Sequence, residues 1–127
     1  MKDLKFSYCD VCKKVVLSVV DKAVPTVCCG KPMTVLTANT TDAATEKHVP
    51  VVEVKDNQVV VSVGSVEHPM TEEHHISFIA VVFEDGSYMV KELEHTGKPE
   101  AVFPIGASKP VAAYEFCNLH GLWKYEI

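Results

Sequence analysis

The chain has 127 residues, of which 47% are hydrophobic and 23% charged, with a formal net charge of −5 at pH 7. These values describe one domain or two small ones of an ordinary globular protein and exclude a disordered chain. The acidic balance, with no basic run or stripe, argues against a nucleic-acid partner, and no apolar run approaches the ~20 residues that span a bilayer.

The first residues, Met1-Lys2-Asp3-Leu4, lack the apolar stretch of a secretory signal, so the expected compartment is the cytoplasm. In that reducing setting clustered cysteines are read as metal ligands rather than disulfides, and a total of five leaves one thiol over. Residues 1–37 are too few to bury a useful core and call for a metal staple. They hold Cys9-x-x-Cys12, fifteen intervening residues, and Cys28-Cys29. Four such thiols can close a tetrahedron around one ion, and both structural zinc and iron held by sulfur fit. Neighbours on an extended strand point to opposite faces, so Cys28 and Cys29 can share an ion only across a sharp turn, which Gly30 and Pro32 are expected to supply.

Residues 38–45, small and polar without apolar periodicity, read as a linker. From 46 to 127 the pattern is strand: 49–54, 58–63, 75–83, 87–93, 101–103, 111–117 and 122–125, rich in valine, isoleucine and phenylalanine. Asp56-Asn57, Asp85-Gly86 and two Gly/Pro clusters punctuate these runs, and Asp85-Gly86 is a hairpin signal. The predicted fold is all-β, a small metal-stapled β domain followed by an immunoglobulin-like antiparallel β-sandwich.

The fifth cysteine, Cys117, lies three residues before His120 across a tight turn ending in Gly121. A lone thiol must recruit ligands from elsewhere. His48, His68, His74 and His75 sit at loop-to-strand junctions, free to aim at a shared point, whereas His95 lies in a polar turn and reads as a solvated side chain. His74 and His75 cannot both point the same way if the strand has begun, so at most one is a ligand. Mixed nitrogen and sulfur donation points to a redox or catalytic metal.

Taken in order, Cys9-x-x-Cys12, Cys28-Cys29-Gly30-x-Pro32-Met33, Glu46-Lys47-His48-x-Pro50, His68-Pro69-Met70 with His74, and Cys117-Asn118-x-His120-Gly121-x-Trp123-Lys124 resemble the desulfoferrodoxin family, the two-iron superoxide reductases, over essentially the whole chain. The resemblance implies a desulforedoxin-like domain at 1–37 and a neelaredoxin-like sandwich at 46–127. It implies two iron ions: one in the thiolates of Cys9, Cys12, Cys28 and Cys29, the other with His48, His68, His74 and His120 in a plane and Cys117 axial. His75 falls where the family often has an aromatic residue, which selects His74. Lys13 stands where a glycine usually follows the second cysteine, and Leu122 replaces a common histidine. Recombinant material can carry zinc in place of iron.

The implied activity is one-electron reduction of superoxide to hydrogen peroxide, with a rubredoxin-type electron donor and a homodimeric assembly. A thiolate opposite an open position pushes electron density through the metal. Lys47 supplies a local positive spot that draws an anion against the overall charge, and by resemblance Glu46 helps displace product. The alternative reading from the same residues is a non-catalytic iron electron carrier, and a third is a zinc-stapled binding module.

Overall fold

The structure, a computed structural model, describes residues 3–127. It is almost entirely β, as the pattern of branched and aromatic runs predicts. The chain divides into two compact units, one ending at Thr37 and the other spanning Ala38–Ile127. Among the described residues no helix is long and apolar enough to cross a membrane.

The first unit contains β1 (Lys5–Tyr8), β2 (Val15–Ser18), β3 (Val27–Cys28), β4 (Lys31–Pro32) and β5 (Thr34–Val35). Strands β2, β1 and β5 form one antiparallel sheet, and β3 and β4 form a separate hairpin. Its buried apolar side chains are few, namely Leu4, Phe6, Cys9 and Met33. So small a core leaves the cysteine cluster as the main tie between the two halves of the unit.

The second unit begins with a segment expected to be a linker, but its Asn39 behaves as part of the sheet. The Asn39 side chain accepts a hydrogen bond from Lys124 N at 2.9 Å and donates to Lys124 O at 3.1 Å, while its own N–H bonds Leu122 O. Asparagine at φ +62° can do this because its short amide imitates a peptide group and tolerates the left-handed region. A single helical turn, α1 (Thr45–His48), follows, and four residues are too short to carry a periodic signal.

Then come the seven strands of the sandwich: β6 (Pro50–Lys55), β7 (Gln58–Val63), β8 (Ile76–Phe83), β9 (Tyr88–Glu92), β10 (Glu100–Pro104), β11 (Pro110–Cys117) and β12 (Gly121–Glu126). One sheet has the order β10-β7-β6 and the other β12-β11-β8-β9. All pairings are antiparallel, and the chain crosses between sheets after β7, β9 and β10, an immunoglobulin-like layout. Asp56 and Asn57 join β6 to β7 with φ of +52° and +59°, the primed turn that follows strand twist. At the β8–β9 turn, Asp85 accepts hydrogen bonds from Ser87 N at 2.9 Å and Ser87 Oγ at 2.6 Å.

Val59, Val61 and Val63 of β7 face Ile79, Val81 and Phe83 of β8, with Phe103 and Ala113, to make the core. Cys117 belongs to the same cluster, so the sandwich core ends on a thiol. The last residue of β11 is displaced by a register shift between Phe116 and Cys117 relative to β8. Bulges of this kind re-aim side chains at sheet ends.

Candidate metal centres

The Cys9-x-x-Cys12 half of the first cluster is a tight knuckle closed by Lys13 N to Cys9 O at 2.8 Å and Cys9 N to Lys14 O at 2.9 Å. Closing it puts Lys13 at φ +71°, which explains why glycine suits that position. The other half is the β3–β4 hairpin, whose two turn residues are Cys29 at φ +52° and Gly30 at φ +80°. The expected sharp turn exists, but Pro32 takes no part in it; Pro32 pairs with Val27 in β4, and Cys29 itself adopts the left-handed conformation. That backbone brings the Cys28 and Cys29 sulfurs to 3.9 Å, and Cys12 Sγ lies 3.7 Å from Cys28 Sγ.

All four sulfurs lie within 4.8 Å of one another. The measured edges match the spacing of about 3.8 Å for thiolates bonded at ~2.3 Å around a tetrahedral ion, and far exceed the ~2.05 Å of a disulfide. The Cys12 N–H aimed at Cys9 Sγ pulls the Cys9 thiol down to about 6, while neighbouring thiols push Cys28 up and Cys29 up to about 12. One thiolate is easily formed here, whereas four together require a cation. The donor set therefore fits iron or zinc.

The second centre is a closed square of imidazoles. Going round it, His48–His68, His68–His74, His74–His120 and His120–His48 have ring centroids 4.8, 4.6, 5.1 and 4.8 Å apart, each pair edge-on at 72° to 89°. His48 comes from the end of α1, His68 and His74 from the β7–β8 connection, and His120 from the β11–β12 turn. His48 Nδ1 donates to Ala44 O and His68 Nδ1 to Pro69 O, both at 2.7 Å. Those bonds fix the protons on Nδ1 and leave lone pairs on both Nε2 atoms, which nonetheless face each other at 3.2 Å.

His120 Nδ1 completes the approach at 3.1 Å from His48 Nε2, and His74 Nε2 is buried with no hydrogen-bond partner. Acceptor nitrogens crowded in this way repel unless a cation lies among them. Their separation matches the ~3 Å expected for neighbouring nitrogens bonded at ~2.1 Å and right angles to one ion. Cys117, fully buried, supplies the sulfur, 3.8 Å from His120 Nδ1 and within 4.8 Å of the donors of His48 and His74.

Electrostatics keep the five donors ready. Burial lowers His48 and His74 and takes His68 down to about 4, so all three are neutral at pH 7. Burial raises the Cys117 thiol, opposed by N–H groups of Leu119 and His120 that point at its sulfur. Those amides leave a thiolate stabilised once a cation compensates its desolvation.

Several supports were not evident in the sequence. Asn118 ties the His74 loop to the Cys117 turn: its Oδ1 accepts from His75 N at 2.8 Å, its Nδ2 donates to Glu73 O at 2.9 Å, and its N–H bonds His75 O at 3.2 Å. Trp123 stacks on His48 at 5.0 Å and donates Nε1–H to His120 O at 3.1 Å, holding two corners of the square. Glu115 lies fully buried two residues before Cys117, its carboxylate oxygens without partners and its pKa pushed well up by burial. Only the Cys-Asn-x-His and Gly-x-Trp spacings pointed towards Asn118 and Trp123.

His75 turns away from the square, its Nδ1 on Thr71 O and Glu72 O and its ring 6.0 Å from His95. Glu46 and Lys47 are exposed on α1, immediately before His48. Lys47 is close enough for its charge to help depress both His48 and His74.

Comparison with known proteins places these features in context. A family model described as Desulfoferrodoxin matches residues 40–126. A desulfoferrodoxin from Syntrophotalea carbinolica is 46% identical over 118 residues, covering 93% of this chain and 92% of that protein. A shorter relative, a superoxide reductase from Thermococcus kodakarensis, is 41% identical over 99 residues and covers 65% of this chain and 86% of its own. Among solved structures, the superoxide reductase from Treponema pallidum superposes with a TM-score of 0.84 at 36% identity, covering 98% of this chain and 100% of that one.

Proposed function

The chain belongs to the desulfoferrodoxin family, and from that membership and the geometry of the second centre we propose that it is a superoxide reductase: superoxide takes one electron and two protons and leaves as hydrogen peroxide. The observation that carries this reading is the square of four imidazoles closed around a point that the buried Cys117 thiol also approaches. Iron bound there supplies the electron and a coordination position that can exchange.

The chain's own groups do the rest. Imidazole donors, unlike carboxylates, add no negative charge where an anion must arrive. Cys117, with Leu119 and His120 amides on its sulfur, donates electron density while staying shielded from solvent. Lys47 draws the anion in and orients a proton-donating water, and Glu46 beside it helps displace product. The thiol cluster of Cys9, Cys12, Cys28 and Cys29 holds the other iron as an accessory electron site, sharing no donor with the imidazole square.

The electron donor proposed is a rubredoxin-type protein, acting in the cytoplasm, where free cysteine ligands stay reduced. A homodimer is proposed as well, supported by the free edge of β6 and by Val51 and Val102 exposed on the outer face of its sheet. The decisive experiment supplies superoxide to reduced, iron-loaded protein and follows both products. Hydrogen peroxide without dioxygen is expected; stoichiometric dioxygen would replace this reading with a dismutase.

A further inference from the structure

Formal charge is divided unevenly along the chain. Residues 2–37 carry six lysines against three aspartates, a balance of +3, whereas residues 38–127 carry six lysines against fourteen carboxylates, a balance of −8. Four thiolates around a trivalent or divalent iron subtract one or two charges from the first figure, which stays positive. A negatively charged partner is therefore repelled by the larger unit and attracted by the smaller one.

Lysines flank the thiol cluster. Lys13 and Lys14 close its knuckle, Lys31 follows its hairpin turn, and all three are exposed. Lys31 is paired with Asp10 at 2.8 Å, but among the described residues Lys13 and Lys14 have no ion pair. Lys13 is held at the rim rather than left loose, since its ammonium donates to Asp10 O at 2.7 Å and lies 6.0 Å from the Tyr8 ring centroid. It keeps a charged side chain at φ +71°, where glycine is unstrained.

Beside these lysines Cys12 and Cys29 are themselves exposed, and Val11 and Val27 show 58% and 64% of their surface. An accessible metal ligand, a small apolar contact and a charged rim are what a transient electron-transfer contact needs: close approach of the redox centre, electrostatic steering, and little buried area.

We infer that the Lys13–Lys14–Lys31 face around Cys12 and Cys29 is the docking surface for an acidic electron-carrier protein. This rests on the reading that the protein receives electrons from a donor, and it fixes both where the donor lands and the sign of its charge.

The test uses the full-length iron-loaded protein and an acidic rubredoxin as probe, with affinity measured by titration calorimetry at low and moderate salt. The reversal K13E/K14E/K31E should weaken binding at least about tenfold and remove most of its salt dependence. A milder K13G/K14Q, which leaves the Lys31–Asp10 pair in place and relaxes the backbone, should weaken it about threefold. The sandwich reversal K91E/K98E should change it less than about twofold. At moderate salt, which screens the added negative charge, reaction of pre-reduced protein with superoxide should stay within about threefold in all three, so a failure of the reductase reading shows there and not in the titrations. Equal affinity in the wild type and both knuckle variants overturns the inference. So does an equal loss in K91E/K98E, which would make the effect one of net charge. Concentration-dependent self-association that disappears in K13E/K14E/K31E also overturns it, because the occupant would then be a second copy of this chain.

Discussion

Gly64 presses against the peptide of Glu46 so closely that a β-carbon on it would stand 2.6 Å from the Glu46 carbonyl oxygen, as well as 2.7 Å from Lys47 C and 2.5 Å from Val66 O. The same carbonyl accepts hydrogen bonds from Val66 N at 2.9 Å and Ser65 Oγ at 3.3 Å. The turn after β7 thus clamps the helical turn that carries Glu46, Lys47 and His48. Gly64 also has φ +81°, so Gly64→Ala adds backbone strain to a clash with main-chain atoms that cannot simply rotate away. A loss of about 2–4 kcal/mol is expected, together with slower association with superoxide. Thermal melts and stopped-flow mixing measure both, and a variant matching the wild type in melting temperature and rate contradicts the clamp.

Lys47 is exposed and next in sequence to the buried His48. In the proposed reading its charge acts on an anion approaching against a total of −5. Lys47→Ile should lower the bimolecular rate with superoxide by roughly tenfold at low ionic strength. The wild-type rate should fall as salt is added and the variant's rate should stay flatter, because screening removes an attraction the variant lacks. A rate unchanged by the substitution would assign the steering to other charges.

The sandwich was legible because its strands carry strong local signals. β8 and β11 are apolar for almost their whole length and become the central pair of their sheet, and Asp56-Asn57 and Asp85-Gly86 form the turns their chemistry favours. The sites were legible as residue types at set spacings. What could not be read locally was how each is held in place. Cys29 at φ +52° departs from the usual preference of a cysteine, so residue chemistry points to Gly30 and Pro32 and only the Gly30 half of that expectation holds. Asn118 acts on His75, 43 positions away in the chain, and the pinning of Asn39 to Lys124 spans 85. Such relations exist only once the strands have closed, and no window of sequence contains them.

Asn118→Ala removes two side-chain hydrogen bonds, to His75 N and Glu73 O, that fasten the His74 loop to the Cys117 turn. The His75 amide is left needing a partner, so a cost of about 1–3 kcal/mol is expected. The larger consequence lies in the metal, since a loosened His74 should weaken binding by about 10–100-fold. Competition with a chelator measures that constant. Unaltered affinity would mean that the loop is positioned by Thr71, whose Oγ1 accepts from His74 N at 3.1 Å.

Cys12→Ser takes one corner from the first cluster without touching the second unit. The small unit has little else to bury, so it should lose its cooperative melting transition and its sulfur-to-metal absorption. The imidazole square draws every donor from residues 48–120. Reduction of superoxide by the pre-reduced variant should therefore stay within about twofold of the wild type. A loss of rate beyond about tenfold would make the first cluster an obligatory part of the reaction.

Metal removal should expose a pH dependence that bound metal hides. In the metal-free protein His48, His68 and His74 have pKa values depressed by burial, His68 to about 4 from an ordinary 6.5. Between those values the unfolded chain binds protons that the folded chain refuses, so stability rises with pH across this interval. The contribution is fully present above about 6.5 and is lost as pH falls towards the folded value. Melting temperatures of chelator-treated protein should accordingly drop between pH 7 and pH 4, with a slope of more than one proton taken up on unfolding. Metal-loaded protein should hold a flatter curve until acid strips the ion from its imidazoles. A metal-free protein whose stability is flat through that range would show that the square opens to water when empty, relieving the burial that sets these values.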